Sequence, residues 1–502
     1  MIPALGIAFL SGFIALSYEI LWYRAFSFAS GGRASTFGLM LGGYLAGLAL
    51  GSLAVRRYCR DRRQTMRGLA LLTSLSNLLG FLVVPALAGL AARGVAWQHG
   101  LWGVGFAAAG LGAVFPMVSH AWIEPDDKVG SKLSQVYLAN ILGSTLGSLL
   151  TGFVLADILT LAAMHQLLFF LGLGLTAVVV ALGESRRLPF GGLLVLAALG
   201  AAFGRVPFLD LYERLQEKGS YSSGRPFAHV VETKSGVITV NDRGQIFGGG
   251  IYDGAFNTSL TDDRNLILRC YALAELHPAP KDVLLIGLSS GSWATVIAGN
   301  PSVERLTIVE INPGYLQLLP KYSDVAGLAA NAKVAIEIDD GRRWLVRNRD
   351  RRFDLIVANA TFHWRSNATN LLSQEFLELV RSRLKPGGMY YYNTTSSARV
   401  LRTGCTVFPH ALRVAGFLAV SDVPLGLDAD RLRERLFAYP RGSGVVIDRD
   451  KPDEVAVLDA AIGKLKGMLQ TRESLLSSLP PGALVTDDNM GTEWEERPDL
   501  IP

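Results

Sequence analysis

A short aliphatic run at residues 283–286 stops at Gly287-Leu-Ser-Ser-Gly291. A helix-forming segment follows, and a second apolar run at 306–309 stops at Glu310. Strand, glycine turn, helix, strand, acid is the order of a nucleotide-binding βαβ unit. Gly287 and Gly291 let the backbone approach a ligand closely, and a carboxylate about 20 residues on can accept hydrogen bonds from a ribose diol. A glycine turn alone is weak, because tight turns in parallel sheets need glycine for their own sake. Glu310 at that spacing turns the reading toward a nucleoside. Two further apolar runs end on polar groups: 334–338 before Asp339-Asp340-Gly341, and 353–358 before Asn359. Asp340 can take an adenine amino group or cap the helix that follows it.

The elements that must position these groups alternate. Helices are expected over 342–347 and 371–384, and a strand over 388–393, giving an α/β domain with a parallel, doubly wound sheet. Ligands in such folds gather at the carboxyl ends of the strands, where Gly287, Glu310, Asp340 and Asn359 fall. Ahead of this sheet, alternation over 228–240 predicts a hairpin turning at Lys234-Ser-Gly. A glycine-rich loop at 248–257 then interleaves Tyr252, Asp253 and Asn257 with its glycines. A helix is expected to start at Thr261-Asp262-Asp263, whose side chains can cap it, and to end near residue 276.

Of 502 residues, half are hydrophobic and 54 are glycine, with a net charge of +5. That is too long for one domain and too apolar for an ordinary soluble enzyme. Arginines sit in short loops beside apolar segments, which points to membrane topology and away from nucleic acid. Three cysteines, Cys59, Cys270 and Cys405, lie too far apart to form a disulfide framework or a zinc site. Met1-Ile-Pro opens an apolar run with neither basic leader nor cleavage site, so no removable signal peptide is expected.

Runs long enough to cross a bilayer, about 20 residues each, fall near 2–23, 36–55, 68–92, 97–122, 132–157, 160–182 and 189–206. Gly43, Gly47 and Gly51, and Gly143 and Gly147, stand four apart and predict close helix packing. Charge bias puts the arginine-rich loop at 56–63 and the Arg186-Arg187 turn in the cytoplasm of an inner or plasma membrane. Seven full crossings would then leave the rest outside. Either the glycine-rich seventh segment is interfacial or re-entrant or the count is off by one, and a cytoplasmic catalytic domain is the expectation. Glu19 either pairs with a nearby arginine such as Arg24, or lines a cavity with Tyr18 and Tyr23. His120, Asn140 and His165 read as interhelical polar groups. The expected organisation is a helical membrane domain at 1–208, a linker at 209–224, a small β-sheet subdomain at 225–260, a Rossmann-like catalytic domain at 261–440 and a C-terminal extension at 441–502.

Together these residues resemble the spermidine synthase-like family, specifically its membrane-fused branch. The likeness covers roughly residues 225–420, with an echo of that branch's C-terminal signature at Thr486-Asp487-Asp488-Asn489. It implies a class I S-adenosylmethionine-type sheet behind a small N-terminal β-sheet. It also implies metal-free transfer of an aminopropyl group from decarboxylated S-adenosylmethionine to an amine, releasing methylthioadenosine. By position it assigns Gly287 and Gly291 to the glycine turn, Glu310 to the ribose, Asp340 to the adenine and Asp262 to the cofactor's aminopropyl amine. Asn257 stands where the family has glutamine. The departures gather on the acceptor side. The family's Asp-Ser-Ser/Thr-Asp-Pro reads Asn359-Ala-Thr-Phe362-His363 here, and an asparagine takes no proton while Phe362 offers an ammonium no carboxylate. Leu266 and Ile267 replace a tyrosine and a glutamate, and Ser290 replaces an acid.

A sulfonium carbon is already activated, since a neutral thioether leaves, so the protein must chiefly align the reactants and exclude water. The aromatic faces of Tyr252, Phe256, Phe362 and Trp364 can stabilise the cation. A base is needed only if the nucleophile arrives protonated. With Asn359 in place the candidates are Asp253, Asp262, His363 and the Asp487-Asp488 pair, which can equally bind a cationic substrate. A lone histidine beside an aromatic run is more often structural. Three readings follow: an aminopropyl-type transferase whose acceptor is no ordinary polyamine; a lyase or cyclase in which S-adenosylmethionine displaces its own methylthioadenosine; and a non-catalytic sensor or transporter module. The first is the expectation. Its partners are the bilayer and small molecules, with self-association compatible and nucleic acid excluded.

Overall fold

The computed structural model describes residues 1–59, 61–183, 187–277, 279–359 and 362–494. Arg60, Arg186 and the Ala360-Thr361 step, on which three of the readings above touch, lie outside the described residues. Two compact units divide the chain, residues 1–237 and 238–501.

The first unit is a helical bundle. Its long helices are α1 (Ile2–Ser30), α2 (Ala34–Ala54), α3 (Arg62–Ala91), α4 (Leu101–Trp122), α5 (Val129–Leu149), α7 (Leu161–Ala181) and α8 (Arg187–Phe203). A π-turn at Leu150–Leu155 continues α5 into the short α6 (Ala156–Ile158). Among the described residues, seven helical stretches are long and apolar enough to cross a membrane. The glycines spaced by four do what small residues do in such bundles. A Cβ on Gly143 or Gly147 would collide with the α1 backbone at Phe9 and Phe13, and one on Gly47 or Gly51 would collide with α4 at Gly105 and Ala109. Gly43 is looser, with its nearest neighbour at 4.0 Å.

Interhelical polar contacts account for most of the polar residues noted in the spans. Asn140 donates to the Ala8 carbonyl at 3.1 Å and His120 Nδ1 meets Thr65 Oγ1 at 3.1 Å, both between helices, whereas His165 Nδ1 reaches the Leu161 carbonyl of its own helix at 2.9 Å. Tyr18 is fully buried on Asn77, and Tyr23 packs edge-on against Phe37. After α9 (Leu211–Glu217) comes strand β1 (His229–Thr233). It is pinned to the bundle by Glu232, whose carboxylate accepts from the Leu161 N–H, while Asp157 holds Lys234 at 2.8 Å.

The second unit opens within β2 (Gly236–Val240), which is followed by β3 (Gln245–Gly248) and β4 (Ile251–Ala255) as successive antiparallel neighbours. The helix expected from residue 261 does not start there. Leu266 takes a positive φ of 50°, and Asp263 Oδ1 accepts from the N–H groups of Asn265 and Ile267. The side chain that was to cap a long helix instead closes a turn. Only α10 (Leu268–Tyr271) and α11 (Leu273–Leu276) follow.

The main sheet is built from β5 (Asp282–Ile286), β6 (Arg305–Glu310), β7 (Val334–Ile338), β8 (Phe353–Ala358), β9 (Leu384–Asn393), β10 (His410–Val414) and β11 (Phe417–Ser421). A minor pair, β12 (Pro440–Arg441) and β13 (Gly444–Val445), stands apart from it, and β14 (Leu469–Thr471) closes one edge. The order is β14-β10-β11-β9-β8-β5-β6-β7. Strands β5 to β9 pair in parallel, as the alternation predicts. The remainder does not: β9, β11, β10 and β14 pair antiparallel, so the sheet is mixed. β10 and β11 are separated by only Ala415 and Gly416, and a turn that short reverses the chain.

Helices α12 (Ser292–Gly299), α13 (Gly341–Arg347), α14 (Gln374–Arg381), α15 (Ala398–Val407), α16 (Ala429–Phe437), α17 (Pro452–Gly467) and α18 (Arg472–Ser478) complete the unit. α14 is shorter than expected because Ser373 caps it and residues 368–371 form a 3₁₀ turn. Tyr390 and Tyr392 project from one face of β9 and Tyr391 from the other, all buried, so the sheet has a core on both sides.

Candidate active site

Five strand ends and one hairpin make the site. β5 ends in Gly287 at φ +91°, and the turn continues through Ser289 at +49° and Gly291 at +77°. A Cβ on Gly287 would sit 3.3 Å from the Asn359 carbonyl, so the turn also lies close against the end of β8. Into it points Glu310 from the end of β6. Its Oε2 accepts from the Leu288 N–H and its Oε1 from the Asn312 N–H, each at 2.7 Å, and the residue is 3% exposed. Burial pushes the carboxyl up to about 7 against the pull of those N–H groups, and the nearby Asp253 charge adds to the rise.

Asp253 arrives from β4. Its Oδ2 accepts the Tyr315 hydroxyl at 2.6 Å, and its carbonyl accepts the Ser289 hydroxyl at 2.6 Å. Burial raises this carboxyl to about 6, opposed by the Tyr315 bond, the Arg365 guanidinium and Ser289. Arg365 is itself lowered by desolvation. It reaches the β3–β4 turn, where a Cβ on Gly249 would clash with its Nη2. Tyr315 and Arg365 were not legible as site residues. The only signal for Tyr315 is its place on a 3₁₀ turn capped by Asn312, directly after Glu310.

Asn257 lies at the start of α12, its N–H on Ser292 Oγ at 3.0 Å and its amide donating to the Asp262 carbonyl at 2.9 Å. Its Oδ1 is buried with no donor among the described residues. An acceptor left bare beside a glycine turn and two carboxylates is what a donor-rich ligand such as a nucleoside or an ammonium would satisfy. Asp340 stands one strand away from Glu310 and caps α13 through the Arg343 N–H at 2.8 Å. Asn359 accepts from Asn393 at 3.4 Å. Tyr252 binds Asn265 through its hydroxyl at 2.9 Å, its ring 5.8 Å from Phe247.

Most of the other expected residues have partners of their own. Asp262 faces solvent and pairs with Arg264 at 2.8 Å. His363 is fully buried, bonded through Nδ1 to Thr395, and its carbonyl takes the Thr492 hydroxyl at 2.7 Å, the placement of a loop anchor. Phe362 and Trp364 stack on each other at 5.8 Å. Asp487 is engaged by both terminal nitrogens of Arg342, at 2.7 and 2.5 Å, and Asp488 is exposed. Beyond them Glu493, 5% exposed, accepts from the N–H groups of Asn367 and Thr369 at 3.0 and 2.9 Å. The C-terminal segment thus straps down the loop that follows β8.

Residues 272–401 match the spermine/spermidine synthase domain family. A polyamine aminopropyltransferase of Corynebacterium efficiens is 25% identical over 403 residues, covering 76% of this chain and 75% of its own. One from Desulforudis audaxviator is 28% identical over 172 residues, 32% of this chain and 61% of its own. Among solved structures, a probable spermidine synthase from Corynebacterium glutamicum is 17% identical with a TM-score of 0.37, covering 52% of this chain and 97% of that one.

Proposed function

We propose that this chain, which carries a spermine/spermidine synthase domain, is a membrane-anchored transferase. It would move an aminopropyl-type group from decarboxylated S-adenosylmethionine to an amine and release methylthioadenosine. The observation that carries the reading is Glu310, a buried carboxylate seated in a glycine turn at the C-terminal edge of the sheet. Its remaining lone pairs suit the two hydroxyls of a ribose. Asn257 and Asp340 flank it for the rest of the donor.

Asp253 is the group that takes up the proton. The amine lone pair forms the new N–C bond as the C–S bond breaks, and the bonding pair leaves with sulfur, which ends neutral. Asp253, held by Tyr315 and titrating near 6, accepts the ammonium proton at neutral pH. On the acceptor side Asn359 lies against Asn393 and Phe362 against Trp364, and among the described residues neither pair offers a carboxylate to hold a polyamine's second ammonium. The acceptor is therefore an amine other than an ordinary polyamine. The same absence favours a second reading, in which S-adenosylmethionine cleaves itself without an acceptor.

The seven apolar helices support an integral-membrane form, and so do outward-facing side chains such as Leu50, Leu71, Phe106 and Phe153, each more than half exposed. We place the catalytic unit in the cytoplasm. Incubating the purified full chain with each sulfonium compound, with and without amines, and weighing the products tests the function. Amine-dependent methylthioadenosine from the decarboxylated compound supports the transferase. Amine-independent methylthioadenosine from S-adenosylmethionine supports the lyase, and S-adenosylhomocysteine would overturn both.

A further inference from the structure

Inside the helical unit, a cavity of about 670 Å³ opens between the N-terminal half of α3, the C-terminal end of α7 and the middle of α8. Its walls are apolar, with Met66, Leu71, Val179, Val180, Leu193 and Leu196 among the lining side chains. One end is basic: Arg62, Arg63 and Arg67 line it together on the first turns of α3. Asp61, the one carboxylate in the lining among the described residues, is committed to the helix start, accepting from the N–H groups of Arg63 and Gln64 at 3.1 and 3.0 Å. Arg62 and Arg67 are exposed and have no ion-pair partner among the described residues.

A long apolar slot with guanidiniums at one end matches a molecule that has an acyl chain and an anionic head. Arginine suits a phosphate oxygen pair by geometry as well as by charge. Basic pockets between membrane helices on the cytoplasmic side are suited to acidic headgroups. We infer that this cavity is a binding site for an anionic phospholipid, its phosphate on Arg62 and Arg67 and its acyl chain against α7 and α8. The inference rests on the membrane reading of the bundle but not on the transferase reading, so the two fail independently.

Native mass spectrometry of the detergent-solubilised full chain tests it, with phosphatidylglycerol, phosphatidylcholine of the same chains, and inorganic phosphate as probes. Phosphatidylglycerol is expected to be retained preferentially, and Arg62→Gln/Arg67→Gln to weaken it roughly tenfold or more while leaving phosphatidylcholine unchanged. Both arginines are exposed, so the double variant should fold. Ala70→Phe, which adds a ring to the wall, should reduce retention with the arginines intact. Equal retention of the two lipids, no change in the double variant, or displacement of phosphatidylglycerol by equimolar inorganic phosphate would overturn the assignment.

Discussion

The Tyr315 hydroxyl donates to Asp253 Oδ2 at 2.6 Å, joining the last strand of the small sheet to the turn that follows Glu310. One bond thereby fixes the proposed base relative to the proposed sugar-binding acid. It also lowers the Asp253 carboxyl, which burial otherwise raises.

Tyr315→Phe removes that donor, so Asp253 should hold its proton to higher pH. The acid limb of kcat/KM, expected near 6 in the native chain, should move up by about one unit, the scale of a lost charge-assisted hydrogen bond. Activity above the new limb should recover. A pH profile with an unmoved limb would remove Asp253 from the base role.

Asp253→Asn should abolish the limb itself and lower kcat by roughly 10²–10⁴-fold, the usual range for a general base. Donor affinity should change far less. Single-turnover kinetics at saturating donor separate the two effects, and a variant with native kcat would sink the assignment.

Glu310 makes stability depend on pH. A carboxyl raised on folding keeps its proton longer in the folded chain than in the unfolded one. Its penalty is absent below the ordinary glutamate range and fully developed above about 7. Unfolding temperature should therefore fall as pH rises through that window, and Glu310→Gln should flatten the fall. Tryptophan-fluorescence melts from pH 4.5 to 8 measure both slopes.

Much of this was legible in the sequence. Gly287, Gly291 and Glu310 lie where their spacing put them because a βαβ unit fixes its turn and its second strand end by local geometry. The parallel strands are visible as continuous apolar runs, since both faces are buried. The antiparallel edge was missed because β10 and β11 are short and carry no motif. The helix expected at 261–276 was overridden by a tertiary role for Asp263, whose carboxylate closes a turn. Tyr315, Arg365 and Glu493 act through partners far along the chain, and no local pattern announces such contacts.

Glu493→Ala should release the loop after β8, leaving the Asn367 and Thr369 N–H groups without their acceptor. The cost should be about 1–3 kcal/mol, chiefly that of the buried Thr369 N–H left unsatisfied. The Michaelis constant for the acceptor should rise more than that for the donor, because Phe362 and Trp364 ride on that loop. Denaturation curves and two-substrate kinetics check the two halves of this expectation.

The account depends most on an adenosine-bearing sulfonium held by Glu310. Isothermal titration calorimetry of the full-length protein and of Glu310→Gln, with S-adenosylmethionine and its decarboxylated form, tests it directly. Saturable binding of at least one compound to the native chain, weakened roughly tenfold or more by the substitution, is the expected result, since one acceptor oxygen becomes a donor and the other loses its negative charge. No heat with either compound, or equal affinity in the two proteins, would contradict it.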